Sequence, residues 1–92
     1  MNQPLTAIEA RKLAREILVS GTVVISTHAR KEMDNDKLTA VDITNVLRGG
    51  SYNEAEWENG GWRHQVSTQR IVVVIEFDSE TEVIIVTAWR RK

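Results

Sequence analysis

The chain reads as an α+β domain of 92 residues, with N-terminal helices packed on an antiparallel sheet of three to four strands. Residues 22–26 offer an additional edge strand to that sheet. Three observations predict this class. Apolar residues recur at helical spacing in the first half of the chain, whereas the 42 residues after Gly50 read as strands and turns. Between two of those strands stands Asn59-Gly60, the strongest short-range hairpin signal in the sequence.

Thr6-Ala7-Ile8-Glu9 forms a capping box, in which Thr6 accepts from an early helix amide and Glu9 reaches back. Ala10, Leu13, Ala14, Ile17 and Leu18 then draw one apolar stripe, and Gly21 terminates the helix. Val23-Val24-Ile25 is a β-branched strand. Thr27 is expected to cap a short helix from His28 to Asn35. Thr39-Ala40-Val41-Asp42 opens another, which buries Ile43, Val46 and Leu47 and ends at Gly49-Gly50.

A two-residue hairpin loop at Asn59-Gly60 sets Trp57 opposite Trp62, Glu56 opposite Arg63 and Ala55 opposite His64. The two tryptophans and His64 then share one face, and Glu56 pairs with Arg63 on the other. Ile71-Val72-Val73-Val74-Ile75 is apolar on both faces, as in a central strand covered on each side. Asp78 to Thr81 is a polar turn, and Val83 to Trp89 forms a final strand.

Ninety-two residues make a single domain, 1–92, with room for one core. The start, Met1-Asn2-Gln3-Pro4, lacks the features of a leader, and no apolar run approaches the ~18 residues a membrane span needs, so a cytoplasmic setting is expected. Without cysteine there is neither a disulfide nor thiolate chemistry. A net charge of −1 gives no general attraction to phosphate, but the charge is uneven. Residues 1–33 sum to +2, residues 34–62 to −4 and residues 63–92 to +1.

Several motifs fall in a recognisable order: Thr27-His28-Ala29-Arg30 with Met33, Leu38-Thr39-x-x-Asp42-Ile43, Val46-Leu47-Arg48-Gly49-Gly50, and Val86-Thr87-Ala88-Trp89. In that order and spacing the chain resembles the DUF4258 family of small bacterial proteins over roughly residues 22–90. That family looks related to the BrnT and RelE ribonuclease toxins. The resemblance implies a RelE-like fold and a toxin-like, metal-independent endoribonuclease held inactive by an antitoxin protein. This chain departs from related sequences after the Met33 helix, where Asp34-Asn35-Asp36-Lys37 stands in place of a frequent arginine.

Cleavage of RNA by its own 2′-hydroxyl needs a base, an acid and donors to the phosphate. His28, in a first helical turn, is placed to act as the base, because the helix dipole disfavours its protonation. Arg30 and Lys31 supply charge, although adjacent helix residues point about 100° apart. His64 is the second candidate acid or base, and Arg63, Arg70, Trp89, Arg90 and Arg91 are candidate RNA contacts, Trp89 by stacking on bases. Bland roles compete with each of these: His28 as an orienting hydrogen-bond group, His64 as a packed residue, the Trp57–Trp62 pair as a hairpin clasp, and the terminal cations as solvation.

No cofactor or metal is expected, since the histidines stand 36 residues apart and no His-x-x-x-His occurs. Glu54, Glu56 and Glu58 read as a charged guard on an exposed edge. Two other readings stand beside the nuclease. One is a non-catalytic protein-binding module, such as a small regulator or immunity-type protein. The other is a helix-turn-helix over residues 28–48, whose second helix offers only Asn45 and Arg48 as base readers.

Overall fold

The computed structural model describes residues 4–92. Met1 to Gln3, part of the stretch read against a leader, lie outside the described residues.

Helix α1 (Ala7–Ser20) begins at the expected Thr6–Glu9 capping box, and its buried stripe is Ala10, Ala14 and Ile17. A second acid serves the same helix start: the Ala7 amide donates to Glu54 Oε1 at 2.7 Å. Glu54 is therefore a helix-terminal partner and not a member of an edge guard with Glu56 and Glu58. Gly21 closes α1 with extended backbone (φ −107°). Its lack of a side chain matters for space, because a Cβ there would stand 2.5 Å from the Thr81 carbonyl oxygen.

Strand β1 (Thr22–Ile25) leads into helix α2 (Thr27–Asn35), whose cap is Ser26 and not Thr27. Ser26 Oγ accepts from the Ala29 amide at 3.0 Å and donates to the Val86 carbonyl at 3.1 Å. One hydroxyl thus caps the helix and ties it to a distant strand. Helix α3 (Ala40–Gly49) starts at the predicted Thr39–Asp42 box and buries Ile43, Val46 and Leu47. Arg15 of α1 donates to the Arg48 carbonyl at 2.9 Å, satisfying an orphan acceptor at the α3 C-terminus.

Five further strands follow: β2 (Ser51–Tyr52), β3 (Glu56–Glu58), β4 (Gly61–Ser67), β5 (Ile71–Ser79) and β6 (Glu82–Arg90). Among the described residues the sheet has six strands where three to four were expected, in the order β1-β6-β5-β4-β2 with β3 also on β4. It is mixed: β1 runs parallel to β6, and the other pairs are antiparallel. The edge strand expected at residues 22–26 is β1. The two-residue β2 carries no alternation that a sequence could display.

At the hairpin, Asn59 (φ 48°) and Gly60 (φ 84°) are both left-handed, as a type I′ turn requires. Trp57 faces Trp62 and Glu56 faces Arg63 as expected, but the ladder stops before Ala55 and His64.

All three helices lie on one face of the sheet. Ile17, Ala29, Met33, Leu38, Ile43, Val46 and Leu47 meet Val66, Ile71, Val73, Ile75, Val83, Ile85 and Ala88 in one core. The expectation that β5 is covered on both sides therefore fails. Its Val73 and Ile75 face the helices, while Val72, Val74 and Glu76 face away from them. A bulge at Val86, between the Val74–Thr87 and Ile75–Ile85 pairs, keeps both ends of β6 in phase with the core.

Candidate functional site

The candidate residues fall into three separate places. The first is the start of α2. His28 is exposed in the first turn and has no side-chain hydrogen bond to any described residue. Lys31 and Glu32, three and four positions on, share its flank of the helix, whereas Arg30 lies on the other side. Arg30 and Lys31 are both exposed.

The second place is the hairpin end of the sheet. His64 is 1% exposed, and its Nδ1 lies 2.9 Å from the Asn53 carbonyl, so that nitrogen carries the proton. Its ring meets Phe77 edge-on at 6.1 Å, and Trp57 meets Trp62 in the same manner at 5.2 Å. A cavity of about 270 Å³ opens here against Leu5, Trp57, Trp62, His64 and Phe77. His64 and His28 cannot serve one phosphate. His64 pairs across the sheet with Ile75, next to Ile85 and then Ile25, so it sits three strands, roughly 14 Å, from the strand that leads to His28. It is also enclosed in the interior.

Arg63 does not pair with Glu56. Its Nε donates to Glu76 Oε1 at 3.2 Å across β4 and β5. Gly61 makes room for that carboxylate, because a Cβ there would stand 2.5 Å from Glu76 Oε1.

The third place is the far end of the uncovered face. Trp89, Arg90 and Arg91 gather around a hollow with Gln65, Val72 and Lys92. Arg90 is committed to structure, since its amide donates to Asp36 Oδ2 at 2.7 Å and its guanidinium to the Asp36 and Lys37 carbonyls. Asp36 is thus the anchor for β6. Arg91 continues the ladder, its amide donating to the Arg70 carbonyl at 2.7 Å. Arg70 and Arg91 are therefore like charges held side by side.

Between the second and third places runs the uncovered face itself. Alternation and register put Val24, Ile84, Val74, Thr87, Val72 and Trp89 on it, with Gln65 and Ser67 of β4. Glu56, Glu58, Glu76 and Glu82 stand at its hairpin end, with Arg63 among them, and Arg70, Arg91 and Lys92 at the other. Sequence reasoning missed this surface because it took the apolar β5 for a strand covered on both sides. The signal was there in Val24, Val72, Val74 and Ile84, all at one parity of their strands. Among the described residues no group of three or more His, Asp or Glu side chains is gathered for a metal.

The family model DUF4258, a domain of unknown function, matches residues 25–90. The chain belongs to the DUF4258 family. No curated protein and no solved structure matches it. The DUF4258 match takes in both histidines, the Asp36–Arg90 anchor and nearly all of the uncovered face, and it leaves out α1. No helix among the described residues is long and apolar enough to cross a membrane.

Proposed function

We propose that this DUF4258 protein is a protein-binding module, of the small-regulator or immunity type, which engages its partner through the uncovered face of the sheet. The observation that carries this reading is the composition of that face. A solvated antiparallel sheet ordinarily alternates apolar-in with polar-out. Here Val24 and Trp89 stand outward 38% and 37% exposed, with Val74 and Ile84 partly exposed and Val72 buried at 3% beside Trp89. Exposed apolar side chains within a charged rim are the usual anatomy of an interface. The dispersal of the nuclease candidates supports the same reading: His64 is buried, Arg63 is paired and Arg90 is tied down.

A second reading is favoured by His28. It is the toxin-like endoribonuclease with a RelE-like fold, acting in the cytoplasm under an antitoxin. An exposed imidazole at a helix start, with Lys31 on its flank, retains the base and one cation of the mechanism. In this version His28 takes the 2′-hydroxyl proton, Lys31 and the free α2 amides hold the phosphate, and RNA lies toward Trp89 and Arg91. The leaving-group acid is then Lys31 or water, because His64 is out of reach.

One set of expressions separates the two. A binding module captures a specific partner, loses it in Val74→Lys, keeps it in His28→Ala, and leaves host growth and total RNA unchanged. Growth arrest with RNA cleavage that disappears in a folded His28→Ala chain reverses the ranking.

A further inference from the structure

The uncovered face is self-complementary along the strand direction, and we infer that its occupant is a second copy of this chain. The inference rests on the protein-binding reading and names the partner. The acidic end holds Glu56, Glu58, Glu76 and Glu82, partly offset by Arg63. The basic end holds Arg70, Arg91 and Lys92, and between the two ends lie Val24, Val74 and Ile84 with the uncharged Gln65, Ser67 and Thr87. From Glu76 to Arg70 the chain advances six residues, about 20 Å at ~3.3 Å each, so the two ends are well separated.

Two such faces meet in only one favourable way. A two-fold axis lying between the sheets and running across the strands reverses strand direction. It sets each acidic end toward the partner's basic end and brings Val24 and Ile84 toward the partner's Trp89. An axis along the strands would instead stack acid on acid and base on base. The isologous arrangement is the commonest in homo-oligomers.

Two further observations agree. Arg70 and Arg91, adjacent and of like charge, are unfavourable neighbours in the isolated chain. Carboxylates of a facing copy relieve that repulsion. The area is also sufficient. The 34 strand residues, each taking ~3.3 Å along its strand and ~4.8 Å across the sheet, give roughly 540 Å² per copy. Two copies then cover about 1,100 Å², just above the ~1,000 Å² of a specific interface, which suits a dissociation constant in the micromolar range.

Sedimentation equilibrium from low to several hundred micromolar tests this. Wild type is expected to dimerise, and raised salt to weaken the dimer. Val74→Lys, a charge at the centre of the face, is expected to be monomeric with an unchanged circular dichroism spectrum. Arg91→Glu should weaken association about tenfold, and adding Glu82→Lys, which the axis sets over the partner's position 91 at the end of β6, should restore it with one lysine in each copy. Trp89→Glu, at the exposed apolar residue beside the basic end, gives a second reading should Val74→Lys fail to fold. A dimer unmoved by these changes, or a reversal that the added lysines do not rescue, overturns the inference. A monomeric wild type overturns the second copy as occupant. The broader reading stands or falls separately, on partner capture by wild type and its loss in Val74→Lys.

Discussion

Tyr52 shows how much one side chain can be held by its surroundings. Its hydroxyl donates to the Leu47 carbonyl at 2.8 Å, closing the end of α3, and burial pushes its pKa from 10.0 up to about 12. The folded state therefore favours the protonated phenol, so the stability it contributes is complete below pH 10 and declines as pH rises toward about 12. As the only tyrosine, its tyrosinate absorbance reports this directly, and the folded chain should titrate near 12. Tyr52→Phe should cost about 1 kcal/mol at neutral pH, the net worth of one hydrogen bond, and should flatten the alkaline decline in denaturant titrations. At the same scale the sequence is least legible. His28 and His64 look equivalent in a chain of 92 residues, yet one is exposed and the other 1% exposed. Arg90 resembles a free terminal cation until Asp36, 54 positions earlier, comes to meet it.

At the scale of elements, local signals were readable where the determinants were local. Both capping boxes, the α1 stripe and the Asn59-Gly60 turn involve neighbours within a few residues, and each has its expected partner. Thr27 was misread as a cap because Ser26 and Thr27 are chemically equivalent. What decides between them is the Val86 bulge, which binds Ser26 from 60 residues away. The sidedness of β5 was lost for a similar reason, since five apolar residues in a row hide which parity meets the helices. The α3 box yields a prediction. Hydrogen bonds from the Thr39 amide and hydroxyl hold the Asp42 carboxyl below its ordinary value of 3.8. Stability from this box is present above that value and is lost as pH falls through the lowered one. Thr39→Ala should cost about 1 kcal/mol near neutral pH by thermal or urea unfolding, and Asp42→Asn should blunt the acid-side loss.

For the whole molecule, the sequence pattern anticipated the α+β class but not the distribution of its charge in space. Glu56 and Glu58 of the acidic middle fold to one end of the sheet with Glu76 and Glu82, while Asp36 goes to Arg90 at the other, where the late cations Arg70, Arg91 and Lys92 also lie. The strand order adds a further consequence. In β1-β6-β5-β4-β2, the first strand is paired only with the sixth. On the ribosome, β1 and α2 emerge early and then wait while the intervening elements are made, because their hydrogen-bonding and packing surface does not yet exist. Closing so long a loop is slow relative to forming the β3–β4 hairpin, so assembly of this edge is expected to be late. A chain stopped at Thr81 should stay largely unfolded by circular dichroism, while adding residues 82–92 as a separate peptide should restore structure. A nascent chain of this kind carries its exposed Val23-Val24-Ile25 segment through most of its own synthesis, which makes the interval before β6 appears the period in which it most needs a chaperone.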